Sequence, residues 1–513
     1  MPQPLFILTL VANMLLFALP TAVFAENSPP QTPLVVALGD GPTTLDSRFA
    51  SSATASRMTK LLSLPLIRLE ADFTPTPIAA TQFEKTGRTV RFSLGDWVFV
   101  DGTPLEAKHV KAYFESIQNP EVGSPFMGLY KHFERIEALN PKTVEFTLSE
   151  DDPFVMALFT RPIMLPNQSL YNNDPALYPI GLGPYKVQKN SRPEAIHLAL
   201  SPYWQGERPA SESLSFITVK DPLVRLMKVR KGEAHLLQND VPIVLIENAR
   251  TKPEVYATSA ASYNYTYLGF NFSDEITGQK AVREAIAYAV DRPAIMQTLL
   301  YNKAAPAHSV LPATNPAYWP APLRGYNPDK AKQILDTAGF TPDEHGVRLR
   351  LRFSTTNNPF ALLLVQAIQH QLKQIGVEVS INIAEWGTFY GNVQKGNFQM
   401  YLLSWVGQFD VDFFRHVFHS KNMPPNGANR GRYQNKAMDT LIDSLWHGAD
   451  KVKTAQKIQQ LQHDDVVYIP LWRQDHMAVI NKATQGFTLK PDGGFEGLLQ
   501  TFVQHSKLPN KPR

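Results

Sequence analysis

Cysteine is absent from all 513 residues. That excludes a disulfide framework, zinc–thiolate sites and thiol catalysis. No block of lysine or arginine occurs either. Fifty basic and 46 acidic side chains leave a net charge of +4, too even for a surface built to hold nucleic acid. The chain has no internal repeat and no low-complexity segment. It lacks Gly-x-Ser-x-Gly, His-Glu-x-x-His and any carboxylate pair that spacing alone would single out, so the motifs of common exported hydrolases are missing.

What is present describes an ordinary folded protein. Apolar residues make up 43% and charged residues 19%, outside the disordered range. The length exceeds what one hydrophobic core serves, so two or three domains are expected. Forty-one scattered prolines point to many loops rather than one linker. Leu5 to Phe24 is nearly continuous apolar sequence, closing at Val23-Phe24-Ala25 before a polar stretch. This fits a signal peptide cleaved after Ala25. The alternative is an uncleaved anchor, since the run nearly spans a bilayer and Met1 to Pro4 carries no basic side chain. No cysteine follows it to take a lipid, and no second long apolar run exists, so the mature chain is expected to be exported and soluble.

From Leu34 onward, strands and helices alternate. Leu34 to Leu38 reads as a buried strand, and Thr89 to Leu94 and Lys142 to Leu148 as alternating ones. Thr103, Pro104 and Glu106 predict a capped helix start, with Ala107, Val110, Phe114 and Ile117 as its buried stripe. Pro179-Ile-Gly-Leu-Gly-Pro-Tyr185 forces a tight passage, and with no helix after it this is not a nucleotide loop. The stretch Tyr263 to Arg292 is a hand-over point. Tyr263, Tyr265 and Tyr267 alternate as in a strand with one packed and one wetter face, and Val282, Ile286, Ala289 and Val290 then form a helical stripe. Pro359 to Ile375 reads as a helix stopped by Gly376, followed by alternating Val377, Val379, Ile381 and Ile383. That is the grammar of an open α/β sheet.

Several segments, in this order, resemble the solute-binding proteins of ABC importers that carry dipeptides, oligopeptides or nickel complexes. Gly95-Asp-Trp-Val-Phe-Val-Asp101-Gly-Thr-Pro-Leu-Glu-Ala-Lys-His-Val110 is similar to the family signature, with His109 in place of the usual acid. Thr43-Thr-Leu-Asp46 looks like its first lobe-crossing strand, and Gly181-Leu-Gly-Pro-Tyr185 like its Gly-Thr-Gly-Pro-Tyr. Leu268-Gly-Phe-Asn271, Tyr326-Asn-Pro-Asp-Lys-Ala331, Gly431-Arg-Tyr433 and Tyr468-Ile-Pro-Leu471 also fit. The resemblance covers essentially the whole mature chain. It implies an α/β, bilobal periplasmic-binding-protein fold (class II-like, type C) with an extra α+β domain in the first lobe. After a signal peptide at 1–25, lobe I would take 26–46, 179–268 and 480–513. The extra domain would take 47–178 and lobe II 269–479.

The implied activity is capture of a small polar, peptide-like solute and delivery to an inner-membrane ABC permease, with no enzymatic step, no cofactor and no metal. The protein would be a periplasmic monomer. In peptide-binding relatives the run matching Leu403-Ser-Trp405-Val-Gly407-Gln408-Phe-Asp410 reads Gly-Trp-x-x-Asp, and that aspartate pairs with the peptide's amino terminus. Here Trp405 aligns, but Gln408 stands at the aspartate. An amide cannot neutralise a buried ammonium. Either the solute lacks a free amine there, or Asp410, shifted by a local deletion, takes over. If the amine anchor is lost, Gln408→Asp leaves the calorimetric affinity for the native solute no higher.

Further site candidates are Thr44, Leu45 and Asp46, through backbone hydrogen bonds, and Trp386 and Tyr390, in the loop after an alternating strand. Arg430 could meet a solute carboxylate or tie down its own loop. Asp410 and Asp412 could instead cap the next helix. His416 and His419 stand three apart, a metal-ligand spacing with no third ligand in view. Two rival classes remain, an exported hydrolase and a sensor reusing the clamp. Solute retention without turnover separates the first from a carrier, and a permease partner separates the second.

Overall fold

Leu34–Leu38 lies at the middle of a seven-stranded sheet, parallel to Ser213–Thr218 on one side and Leu236–Gln238 on the other. Leu34, Val36 and Leu38 face one core and Ala37 another, which is why the run is apolar at nearly every position. The computed structural model describes residues 32–70, 74–152, 155–239, 241–407, 411, 413–447 and 450–504. The expected cleavage after Ala25 falls outside them, as do Gln408, Asp410 and Asp412. Among the described residues no helix is long and apolar enough to cross a membrane.

A second sheet of six strands runs Ala304–Pro306, Tyr468–Gln474, Tyr265–Phe270, Met400–Trp405, Leu349–Thr356, Val377–Ala384. Helix Pro359–Lys373 joins the parallel neighbours Leu349–Thr356 and Val377–Ala384, capped by the Asn358 side chain, and Gly376 turns the chain at φ 77°. The chain passes from the first sheet to the second between Val255–Ala260 and Tyr265–Phe270, through residues 261–264. It returns between Tyr468–Gln474 and His476–Asn481, through Asp475 alone. The fold is bilobal, two α/β sheets joined by two short links. The links are tied together where Ser262 Oγ donates to the Gln474 carbonyl at 2.5 Å, and the Tyr263 N–H also holds the first link to the Pro491 carbonyl at 3.0 Å. The expected boundaries at 268/269 and 479/480 each lie inside a strand.

Three expectations change. Tyr265–Phe270 has no wetter face, because all six residues are buried. Tyr265 and Tyr267 pack into a core of aromatic side chains and Leu268 and Phe270 into an aliphatic one on the other side. Thr43 to Asp46 is a bend, not a strand, and the crossings lie elsewhere. The signature helix starts later than Thr103, at Ala107. Pro104 bridges back to Val98, and Leu105 N–H donates to the Trp97 carbonyl at 2.8 Å, which holds the segment extended. Glu106 then caps, and the capping box is closed by His109, whose Nδ1 accepts the Glu106 N–H at 3.2 Å. The histidine that departs from the signature thus does the job of the acid.

That helix covers a four-stranded antiparallel sheet, Ala80–Thr86, Thr89–Leu94, Thr143–Leu148 and Phe133–Asn140. Phe92, Phe114, Phe133, Phe146 and Phe159 form its core, with ring centroids 4.7–5.9 Å apart. The Gly181-Leu-Gly passage has a packing cause. The Gly183 N–H donates to the Leu62 carbonyl at 2.9 Å, and a Cβ on either Gly181 or Gly183 would run into the Leu62 backbone. Gly183→Ala is therefore expected to lower folding stability by about 1–3 kcal/mol. Gly325→Ala, with nothing near its would-be Cβ, should leave the urea midpoint in place.

Candidate functional site

The strands Leu349–Thr356, Val377–Ala384 and Met400–Trp405 run parallel, so their C-terminal ends share one edge of the second sheet. Tyr265 lies opposite Trp405 on that edge, so the first link between the lobes meets the second lobe there. Open α/β sheets bind ligands at such an edge. Immediately after Ala384, the Glu385 side chain accepts the Gly387 N–H at 2.8 Å and starts helix Trp386–Lys395. Trp386 and Tyr390 are therefore on a helix rather than in the expected loop. Gly387, Gly391 and Thr388 hide it from propensity, and the cap with buried Phe389 and Val393 holds it. The four-residue spacing stacks the two rings, centroids 5.5 Å apart and planes 15° apart, with Trp386 40% exposed.

Arg430 reaches the same place from the loop before helix Lys436–His447. Asn429 shapes that loop: its Nδ2 donates to the Tyr433 carbonyl at 2.7 Å and its Oδ1 accepts the Tyr433 N–H at 3.0 Å. Tyr433 itself is anchored to Asp465. The Arg430 guanidinium sits 4.2 Å over the Trp405 ring and 5.2 Å from that of Tyr390. Its Nη2 donates to Tyr390 Oη at 3.0 Å and its Nη1 to Tyr267 Oη at 3.5 Å. Desolvation works against its charge, but the phenols of Tyr390, Tyr267, Tyr401 and Tyr468 outweigh it and leave the pKa raised. Burial also pushes the Tyr267, Tyr401 and Tyr468 phenols up, so all three stay neutral. Trp405 packs edge-on against Phe413 at 4.8 Å. An aromatic shelf, a fixed cation and neutral hydroxyls can bind a polar solute; no nucleophile with an activating base stands among them.

Four sequence candidates are thus brought together: Trp386, Tyr390, Trp405 and Arg430. Gly407, at φ 107°, continues the chain beyond Trp405. The bonds of Thr44, Leu45 and Asp46 run elsewhere. Leu45 is wholly buried and its N–H, like Thr44 Oγ1, donates to the Ala176 carbonyl. Asp46 is paired with Arg48 at 2.6 Å, both buried, and Arg48 also donates to Asn167 Oδ1. His416 and His419 diverge: burial first, then Arg430 and Arg415, push the His416 imidazole down to about 3, whereas His419 bonds the Lys421 N–H and Asp443. Among the described residues no three such side chains are placed to hold a metal ion. Sequence reasoning missed the phenols of Tyr401 and Tyr468, whose run types signalled only buried strands.

The profile of the bacterial extracellular solute-binding proteins, family 5 Middle, matches residues 74–424. The chain belongs to that family. Family 5 proteins are the solute-binding components of ABC importers. Among its relatives, the glutathione-binding protein GsiB of Salmonella paratyphi A is 27% identical over 487 residues, covering 90% of this chain and 93% of that one. GsiB of Escherichia coli K12 is 25% identical, covering 94% and 97%. Solved family 5 folds include NikZ from Campylobacter jejuni in complex with Ni(L-His), with TM-score 0.81, 22% identity, and 92% and 100% coverage. AppA from Bacillus subtilis in complex with a nonapeptide has TM-score 0.81, 21% identity, and 93% and 100% coverage.

In this family 5 chain the four-stranded α+β unit also touches the second lobe. Arg415 lies 3.7 Å from both Glu150 and Asp152, and a Cβ on Gly128 would strike the Asn426 carbonyl.

Proposed function

We propose that this protein captures a peptide or similar polar solute between its two lobes in the periplasm and hands it, unaltered, to an inner-membrane ABC permease. It works as an exported monomer, its leader removed after Ala25. The lobes divide at 261–264 and at 475, with residues 47–178 as an added domain on the first. Trp386 and Tyr390 offer the solute a stacking shelf, and Trp405 and Arg430 its floor. Gly407, Gln408 and Asp410 continue the same run.

The observation that carries this reading is the position of the Trp405–Arg430 cluster, at the sheet edge where the chain enters the second lobe. A solute seated there can touch both lobes, and its contacts with each supply the free energy of closure. A peptide-like cargo is further supported by the glutathione- and nonapeptide-binding proteins named above. Native mass spectrometry of protein released from its own periplasm, paired with X-ray scattering, tests the proposal. A carried solute of unchanged mass and a more compact bound form are expected. Scattering curves that never change with periplasmic extract, or a solute returned chemically altered, would end it.

A further inference from the structure

We infer that the captured solute is a carboxylate-bearing anion and that Arg430 is the residue that takes its carboxylate. This rests on the capture reading above and names the class of solute for that site. Four arginines that are more deeply buried, each at most 4% exposed, set the comparison. Arg48 is neutralised by Asp46. Arg225 donates to the carbonyls of Val219 and Lys220. Arg283 donates to those of Val466, Thr277, Gly278 and Asp465 at 2.7–3.1 Å. Arg292 donates to Ala287 and Arg324. Each of these guanidiniums faces an anion or the negative end of a peptide dipole.

Arg430 faces neither. It is 8% exposed, yet no carboxylate among the described residues pairs with it, and its two bonds end on phenol oxygens. A phenol is a weak acceptor that carries a proton of its own. A guanidinium has five N–H donors in a rigid fork, so most of its capacity stays open. Holding a cation in such surroundings costs stability, and a well-packed apolar side chain would avoid that cost. The arrangement makes sense if the counter-ion arrives with the solute. Trp405 covers one face of the guanidinium at 4.2 Å, which leaves the donor edge for a planar oxyanion, and two parallel N–H···O bonds are the geometry a carboxylate offers. Beside it, the Trp386–Tyr390 stack presents a flat apolar surface for whatever the carboxylate is attached to.

The test uses two matched pools of N-acetylated tripeptides, one ending in a free carboxyl group and one in a carboxamide. Calorimetric titration of the solute-free full-length protein should show the acid pool binding at least about 30-fold more tightly, the worth of a charge-assisted bidentate pair. Arg430→Gln should abolish that preference, and Arg430→Lys should keep part of it. Carboxamides binding wild-type protein within about threefold of the acids overturn the inference without recourse to any variant, and so does a preference that survives in Arg430→Gln. If neither pool binds, the solute carried from the periplasm decides. An acid held by wild-type protein and lost from Arg430→Gln supports the anchor; a carried solute without an acid group overturns it while capture stands. No carried solute and no closure overturn both.

Discussion

Asp46→Asn should destabilise the first lobe by about 3–5 kcal/mol, because it leaves the buried Arg48 guanidinium without its counter-charge. Asp46 and Arg48 have side chains only 5% and 2% exposed, and the guanidinium grips both carboxylate oxygens, Nε donating to Oδ1 at 3.1 Å and Nη2 to Oδ2 at 2.6 Å. Asp46 also accepts the Arg48 N–H at 2.9 Å, so one side chain shapes the bend and neutralises the charge that the bend buries. Urea unfolding would report the loss as a lowered midpoint. Asp46→Asn combined with Arg48→Met should recover most of it, since removing both charges removes the need for pairing. Solute affinity of the folded variant tells the role of Asp46 apart from stability. An unchanged affinity assigns the side chain to the bend. A large loss of affinity with little loss of stability would make Asp46 a solute contact instead.

The second large effect is a loss of stability in mild acid. Burial first, then the charge of Arg57, holds the His476 imidazole down at about 4, although Asp492 and the Pro491 carbonyl push the other way. Burial, Arg415 and Lys131 hold His132 at about 4, and His416 lies at about 3. In the unfolded chain each titrates near 6.5. Between pH 6.5 and 4 the unfolded state therefore binds protons that the folded state refuses, and folding stability falls as the pH falls. The contribution is complete above about pH 6.5 and is used up as the pH drops through the folded values. For His476, 1% exposed, it is on the order of 2–3 kcal/mol, and His132 and His416 add to it in the same direction. Urea midpoints measured at pH 7.0, 5.5 and 4.5 should drop steeply, and His476→Gln should flatten the slope because glutamine can still accept the Asn239 amide bond that Nδ1 makes. An unaltered slope in that variant would place the acid sensitivity elsewhere.

Periodicity and residue type located much of this molecule in advance. The strand-to-helix stretch at 263–292 marks the hand-over because a six-residue strand with aromatic and aliphatic faces has to lie between two cores. Trp405 and Arg430 stand out in the sequence as groups able to bind a polar solute, and the fold brings the two side chains together. The rest was hidden for definite reasons. Asp46 reads as acting through its backbone, and nothing in its spacing shows that the chain bends there and brings Arg48, two residues away, onto its carboxylate. Trp386 and Tyr390 sit among two glycines and a threonine, and only the Glu385 cap and tertiary packing make that segment helical. The helix start near Thr103 shifted because Pro104 pairs backwards with Val98, a contact that spacing does not reveal. Three of the four phenols around Arg430 come from different strands, Tyr265–Phe270, Met400–Trp405 and Tyr468–Gln474, and only sheet pairing brings those three together.

The two links at 261–264 and 475 leave neighbouring strands of one sheet and enter neighbouring strands of the other. A pair of adjacent connections behaves like two pins through one door leaf. Swinging about the line through both pins is easy, whereas twisting or sliding would stretch one pin against the other and break the Ser262–Gln474 bond between them. Under the proposed capture, each closing stroke would therefore return Trp386 and Tyr390 to the same patch of the opposite lobe. Alignment comes from the backbone rather than from the cargo.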